Sequence, residues 1–127
     1  MKTNILGLRT AIFQVPDLAA AKQWYAAVFE QSPYFDEPFY VGFNIDGFEL
    51  GLLPEQTPIG TQRTDNVLVY WGVEDIHAQF NRIVALGATV HETPSNVGGE
   101  ILVATVRDPW NNVFGLIYSP DFKLPQS

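Results

Sequence analysis

Cysteine is absent from this chain, and that alone removes several kinds of chemistry. No disulfide framework can staple the fold, and no thiolate can serve as nucleophile or metal ligand. Basic residues are scarce: seven Lys and Arg stand against fourteen Asp and Glu, giving a net charge of −7. This balance argues against a surface built to neutralise the phosphates of nucleic acid or of an anionic membrane. No apolar run approaches the roughly 20 residues of a membrane-spanning helix. A secretory leader is also not expected, because Arg9 interrupts the stretch from Met1 to Val15 and no small-residue cleavage pattern follows. Gly-rich phosphate loops and the Gly-x-Ser-x-Gly elbow are missing as well. The expectation is a soluble, cytoplasmic protein with no nucleic-acid or membrane partner.

Apolar residues make up 46% of the 127 and charged residues 17%. Such a chain can bury a real core and suits one domain spanning 1–127. Its local patterns come in a repeated order. Leu8 to Val15 reads as a strand, Pro16 punctuates, and Asp17 is placed to cap a helix over Leu18 to Glu30. Phe39 to Ile45 and Phe48 to Leu53 read as strands joined by the hairpin signal Asp46-Gly47. Pro54 to Asn66 reads as a connecting loop. The order then restarts with a strand over Val67 to Val73, Asp75 as cap, and a helix over Ile76 to Leu86 closed by Gly87. Thr89 to Thr93, Glu100 to Val106 and Val113 to Tyr118 read as strands. Ser95 to Gly99 and Asp108 to Asn112 read as turns, and Pro120 to Ser127 as a tail. Each half is too small to bury its own sheet, so two modules, about 1–60 and 65–120, are expected to pack as a pair.

The period of two assigns faces. Ala11, Phe13 and Val15 share one side of the first strand; Thr10, Ile12 and Gln14 share the other. In the fifth strand the sets are Val67, Val69, Trp71 and Val73 against Leu68, Tyr70 and Gly72. The more apolar sets are expected to meet the helices, and the mixed sets to line a ligand surface.

Four stretches, AIFQVPDLAAAKQWYAAVFE, DGFELGLL, VYWGVEDIHAQFNRIVALGATV and VRDPWNNVFGLI, together resemble the vicinal-oxygen-chelate superfamily of glyoxalases, bleomycin-resistance proteins and extradiol dioxygenases. The resemblance implies an α+β fold of two tandem βαβββ modules, forming a curved mixed sheet with helices on the outer face. It also implies a small-molecule cleft and, commonly, a homodimer. Metal-dependent members hold one divalent ion on four side chains, two from each module. The matching positions here are Thr10, Leu68, Glu49 and Gly115, of which only Glu49 suits a divalent ion. The arginine that the glyoxalase I branch places on the first strand is replaced by Gln14, and Asn111 stands where the family's Asp-Pro-x-Gly-Asn turn has glycine. No metal and no other cofactor is therefore expected.

Glu49 is the one candidate catalytic residue, either a pocket carboxylate working as base or cation receptor, or a polar residue on an exposed strand face. His77 reads as a solvated helix residue; His91 lies on an edge strand or at the pocket rim. Tyr40, Phe43, Tyr70 and Trp110 are expected to line the pocket with Thr10, Ile12, Gln14, Glu49, Leu68 and Gly115, although plain core packing explains any single aromatic equally well. The leading expectation is a metal-free binding module for a small, partly aromatic or cationic ligand. The alternatives are a divergent lyase, isomerase or dioxygenase, and a regulatory protein with a filled cleft.

Overall fold

The computed structural model describes residues 4–58, 63 and 65–123. It divides into two compact units, Met1–Gly60 and Thr61–Ser127. The first contains β1 (Thr10–Val15), α1 (Leu18–Phe29), β2 (Phe35–Glu37), β3 (Tyr40–Ile45) and β4 (Phe48–Pro54). Its sheet has the order β1-β4-β3-β2, with β1 parallel to β4 and the other pairs antiparallel. The second contains β5 (Tyr70–Gly72), α2 (Ile76–Ala85), β6 (Thr89–Gly98), β7 (Ile101–Arg107) and β8 (Val113–Tyr118), in the order β5-β8-β7-β6. Each unit thus builds its own four-stranded mixed sheet with one helix, the α+β arrangement that the sequence pattern implies.

The helices start where their caps dictate. Asp17 accepts a hydrogen bond from the Ala20 amide at 3.0 Å, and Asp75 accepts one from the Ala78 amide at 3.0 Å. Each carboxylate thereby satisfies an amide that has no partner inside the helix. At the β3–β4 hairpin Asp46 and Gly47 both take positive φ, 53° and 95°, the twist a two-residue hairpin needs.

Strand register fixes which face of each sheet meets its helix. Ala11 pairs with Leu50 and Phe13 with Leu52; Phe43 pairs with Leu50 and Val41 with Leu52. These residues face α1, where Ala21, Tyr25 and Val28 are buried. Phe13 and Tyr25 lie with ring centroids 6.1 Å apart. In the second unit Ala104, Val106, Phe114 and Leu116 form the equivalent layer with Ile76, Phe80 and Ile83 of α2. The opposite face of each sheet, called its open face below, carries the mixed residues.

Two sequence expectations need correction, and the strand Phe35–Glu37 leaves no signal in the sequence, because three exposed residues carry no periodicity. The turn expected over Ser95 to Gly99 lies inside β6, which runs to Gly98; the chain reverses at Gly99 and Glu100, with Gly98 and Gly99 at φ 140° and 55°. Pro94 is tolerated there because β6 is an edge strand, with register shifts along its pairing to β7. The strand expected over Val67 to Val73 is regular only at Tyr70–Gly72, although backbone hydrogen bonds from Gly115 to Val69 and from Val73 to Ile117 extend the pairing on both sides. No helix among the described residues is long and apolar enough to cross a membrane.

Candidate functional site

On the open face of the first sheet, Thr10 and Asn44 flank Glu49, while Ile12 and Gly42 flank Gly51. Glu49 is the centre of this surface. Its Oε1 accepts a hydrogen bond from the Tyr40 hydroxyl at 2.8 Å, and its Oε2 accepts one from the Tyr34 hydroxyl. Tyr34 is held in place by its backbone amide, which donates to the Gly42 carbonyl at 2.9 Å. Tyr40 reaches Glu49 because Gly51 leaves room: a Cβ at Gly51 would stand 2.7 Å from Tyr40 Cζ. Gly42 is equally constrained, since a Cβ there would lie 2.9 Å from Glu49 Oε2. Two glycines in the middle of adjacent strands therefore open the sheet surface for the carboxylate and its two phenols.

Burial is the largest single influence on Glu49 and pushes its pKa up. The hydroxyls of Tyr34, Tyr40 and Thr10 together outweigh it and hold the carboxyl below its ordinary value. Thr10 Oγ1 is buried and makes no well-aligned hydrogen bond, so its effect is that of a hydroxyl dipole close to the charge. The phenols respond in the opposite sense. Tyr34 is raised, first by its hydrogen bond to Glu49, and Tyr40 is raised, first by burial and then by the same carboxylate. The phenol–carboxylate hydrogen bonds favour an ionised Glu49 and two neutral tyrosines, and for Glu49 they act against burial.

The folded pKa of Glu49 lies below its unfolded value, so its contribution to stability is fully present above about pH 4.5 and is lost as pH falls through the folded value. In urea titrations between pH 7 and 3, the native chain is expected to lose more stability than Glu49→Gln in the acid range. Parallel curves for the two proteins would contradict the assignment.

The other expected residues are placed as follows. Gln14 is exposed on the open face of β1, and Ile12 is 45% exposed beside Gly51. Phe43 is fully buried on the opposite, helix-facing side, so its assignment to the pocket is corrected to the core. In the second unit Tyr70 pairs with Gly115, and its ring lies over that glycine; a Cβ at Gly115 would be 2.5 Å from Tyr70 Cε1. Leu68 and Trp110 are half-buried, before β5 and in the β7–β8 turn respectively.

Register also revises one correspondence between the modules. Thr10 and Leu68 both lie seven residues before a capping aspartate, and Ile12 and Tyr70 both lie five before it. Ile12 pairs with Gly51 and Tyr70 with Gly115, so the counterpart of Gly115 is Gly51, and that of Glu49 is Val113. Neither Gly115 nor Val113 offers a metal-binding side chain.

The second unit also carries a polar cluster that no local sequence pattern marks. Arg107 donates through both terminal nitrogens to the Asp65 carboxylate, and through one of them to the Asn111 carbonyl at 3.2 Å. This guanidinium holds Asp65 below the usual carboxylate range. His91 Nδ1 lies 2.7 Å from the buried Thr105 hydroxyl, and its Nε2 lies 3.9 Å from Asp65. Asp65 and Arg107 are 42 residues apart in the chain, and no local pattern connects them. His77 is exposed on α2.

A family model described as the Glyoxalase/Bleomycin resistance protein/Dioxygenase superfamily matches residues 7–116. The chain belongs to that superfamily. Among solved structures, a glyoxalase-related enzyme from Fulvimarina pelagi superposes with a TM-score of 0.78 at 18% identity, covering 95% of this chain and 94% of that one. The fosfomycin resistance protein FosX of Listeria monocytogenes matches with a TM-score of 0.71 at 20% identity, covering 94% of this chain and 97% of that one. A glyoxalase/bleomycin resistance protein from Albidiferax ferrireducens gives 0.74 at 17% identity, covering 88% and 98%. At these identities the likeness concerns the fold. No curated protein matches the sequence.

The superfamily's divalent ion does not fit the residues present. At the family's metal positions the first unit offers one carboxylate, and both its oxygens already accept phenolic hydrogen bonds. The second unit offers leucine, glycine or valine at the corresponding positions, and the space over Gly115 is filled by the Tyr70 ring. Among the described residues no group of three or more His, Asp or Glu side chains is arranged to hold a metal ion. A divalent ion needs several nitrogen or oxygen ligands at fixed geometry, and the hydroxyl donors aimed at Glu49 take up part of the acceptor capacity of the one carboxylate at those positions.

Proposed function

We propose that this superfamily member binds a small molecule on the open face of its first sheet, around Glu49, without the divalent ion of its metal-dependent relatives. The observation that carries this reading is the Tyr34–Glu49–Tyr40 arrangement. It orients a carboxylate on a surface where two glycines make room for the two phenols that hold it. A few fixed polar groups within an aromatic, partly apolar surface are the usual make-up of a small-molecule site. A divergent metal-dependent lyase, isomerase or dioxygenase is the alternative within the same superfamily, and the donor set weighs against it. A homodimer in the cytoplasm is part of the proposal, supported by the family's habit of pairing and by the absence of cysteine.

Amide NMR spectra recorded during titration with a panel of small aromatic compounds test the placement. Shifts centred on Tyr40, Gly42, Glu49 and Gly51 are expected. The competing location is a cavity of about 320 Å³ on the helix side of β2, lined by Leu18, Lys22, Asp36 and Val41 among others. Shifts confined to that cavity would refute the proposed site.

A further inference from the structure

We propose that the ligand bound at this site carries a methylated ammonium group, with Tyr34, Phe35, Phe39 and Tyr40 as its aromatic wall and Glu49 as its counter-charge. This inference rests on the reading just given and narrows it to a chemical class. Three of the four rings lie outside the set expected from sequence.

The rings form a connected group beside the carboxylate. Phe35 lies 6.5 Å from Tyr34, 6.0 Å from Tyr40 and 6.0 Å from Phe39, centroid to centroid, at steep mutual angles of 56–71°. Tyr34 and Tyr40 converge on Glu49 from two sides through their hydroxyls. The register Phe35 with Gly42, and Glu37 with Tyr40, puts Phe35 and a second carboxylate on the open face. These rings are not core: Tyr34 and Phe39 are each 63% exposed and Phe35 is 37% exposed. Exposed aromatics clustered around a carboxylate mark a surface made for a partner.

Charge selects the partner's sign. Among the described residues no Lys, Arg or His forms an ion pair with Glu49, and Lys22 of α1 pairs with Asp36 on the helix side. Ring faces carry negative quadrupole potential and attract cations, more strongly where water is displaced. An anionic ligand would meet two carboxylates and the ring faces.

Hydrogen bonding then selects the kind of cation. Primary ammonium and guanidinium groups need acceptors for three to five N–H donors. Each Glu49 oxygen already accepts a phenolic hydrogen bond, which leaves the carboxylate about two of its roughly four acceptor sites, fewer than those donors need. A quaternary ammonium donates nothing, so it loses nothing here. It is stabilised by the carboxylate's field and by contact of its methyl groups with the rings.

The test is an NMR titration of the full chain with choline and with 3,3-dimethylbutan-1-ol, the uncharged molecule of the same shape. Choline is expected to shift the amides of Tyr40, Gly42 and Gly51 and to bind about tenfold more tightly than the alcohol. Glu49→Gln is expected to weaken choline by a similar factor and leave the alcohol unchanged. Phe39→Ala removes an exposed ring and should also weaken choline, which keeps the test open if the Gln variant folds poorly. Equal binding of choline and the alcohol, or choline binding that neither variant affects, would overturn the inference. Neutral aromatic compounds shifting these amides while choline does not would overturn it and leave the site in place. If no compound shifts them, both the inference and the site fail.

Discussion

Phe43→Ala is expected to lower the stability of the protein by about 3–5 kcal/mol, the usual cost of emptying a buried phenylalanine site. Phe43 is fully buried and packs in the layer of Val41, Leu50 and Leu52 that faces α1. A cavity there is bounded by paired strands on one side and a helix on the other, so it cannot readily collapse. Urea denaturation read by circular dichroism gives the number. Phe39→Ala makes the control, because a ring 63% exposed should cost under about 1 kcal/mol. If Phe43→Ala instead left stability unchanged, Phe43 would belong to the ligand surface.

The second large effect is expected at the β7–β8 turn. Asp108 is 2% exposed, and its carboxylate accepts hydrogen bonds from the Trp110 amide at 2.9 Å, the Asn112 amide at 2.8 Å and the Asn112 side chain at 3.1 Å. Backbone bonds between Asp108 and Asn112, at 2.8 Å, and from Asn111 to Asp108, at 2.9 Å, close the same turn. Asn112 Oδ1 in turn accepts from Arg63 at 2.8 Å. Asp108→Ala would strand two backbone amides and a buried side-chain amide, each costing about 1–3 kcal/mol when left without a partner. A total loss of about 3 kcal/mol is expected, since water reaches part of the vacated space. Asp108→Asn keeps one acceptor oxygen and should lose about half as much. Equal stability of all three proteins would show that the turn is held by its backbone alone.

Much of the fold was legible because its signals are local. The capping aspartates, the Asp46-Gly47 hairpin and the glycine after α2 each act within a few residues, and each stands where expected. Asn111 takes φ 73°, a left-handed conformation that asparagine tolerates better than most residues, which explains how it replaces the family's glycine. What was missed depends on pairing. Tyr40 and Phe43 were both assigned to the ligand surface, yet residues three apart on a strand point to opposite faces. The register places Tyr40 on the open face and Phe43 in the core. Tyr34 and Phe35 were passed over because nothing in their immediate sequence ties them to Glu49, 15 residues away from Tyr34. The connection exists only once β2, β3 and β4 are laid side by side. The Asp65–Arg107 pair was hidden by the same kind of distance.

Glu49 itself was found for a negative reason, as the one metal-type side chain left at four family positions. In the structure its carboxylate accepts hydrogen bonds from two phenols, which favour the ionised form. The central claim is that this arrangement replaces the superfamily's metal. Elemental analysis tests it most directly, on protein purified without chelator, incubated in turn with zinc, nickel, manganese and iron(II), and then desalted. The account predicts no stoichiometric metal with any of the four ions. One tightly held equivalent that disappears in Glu49→Gln would contradict it.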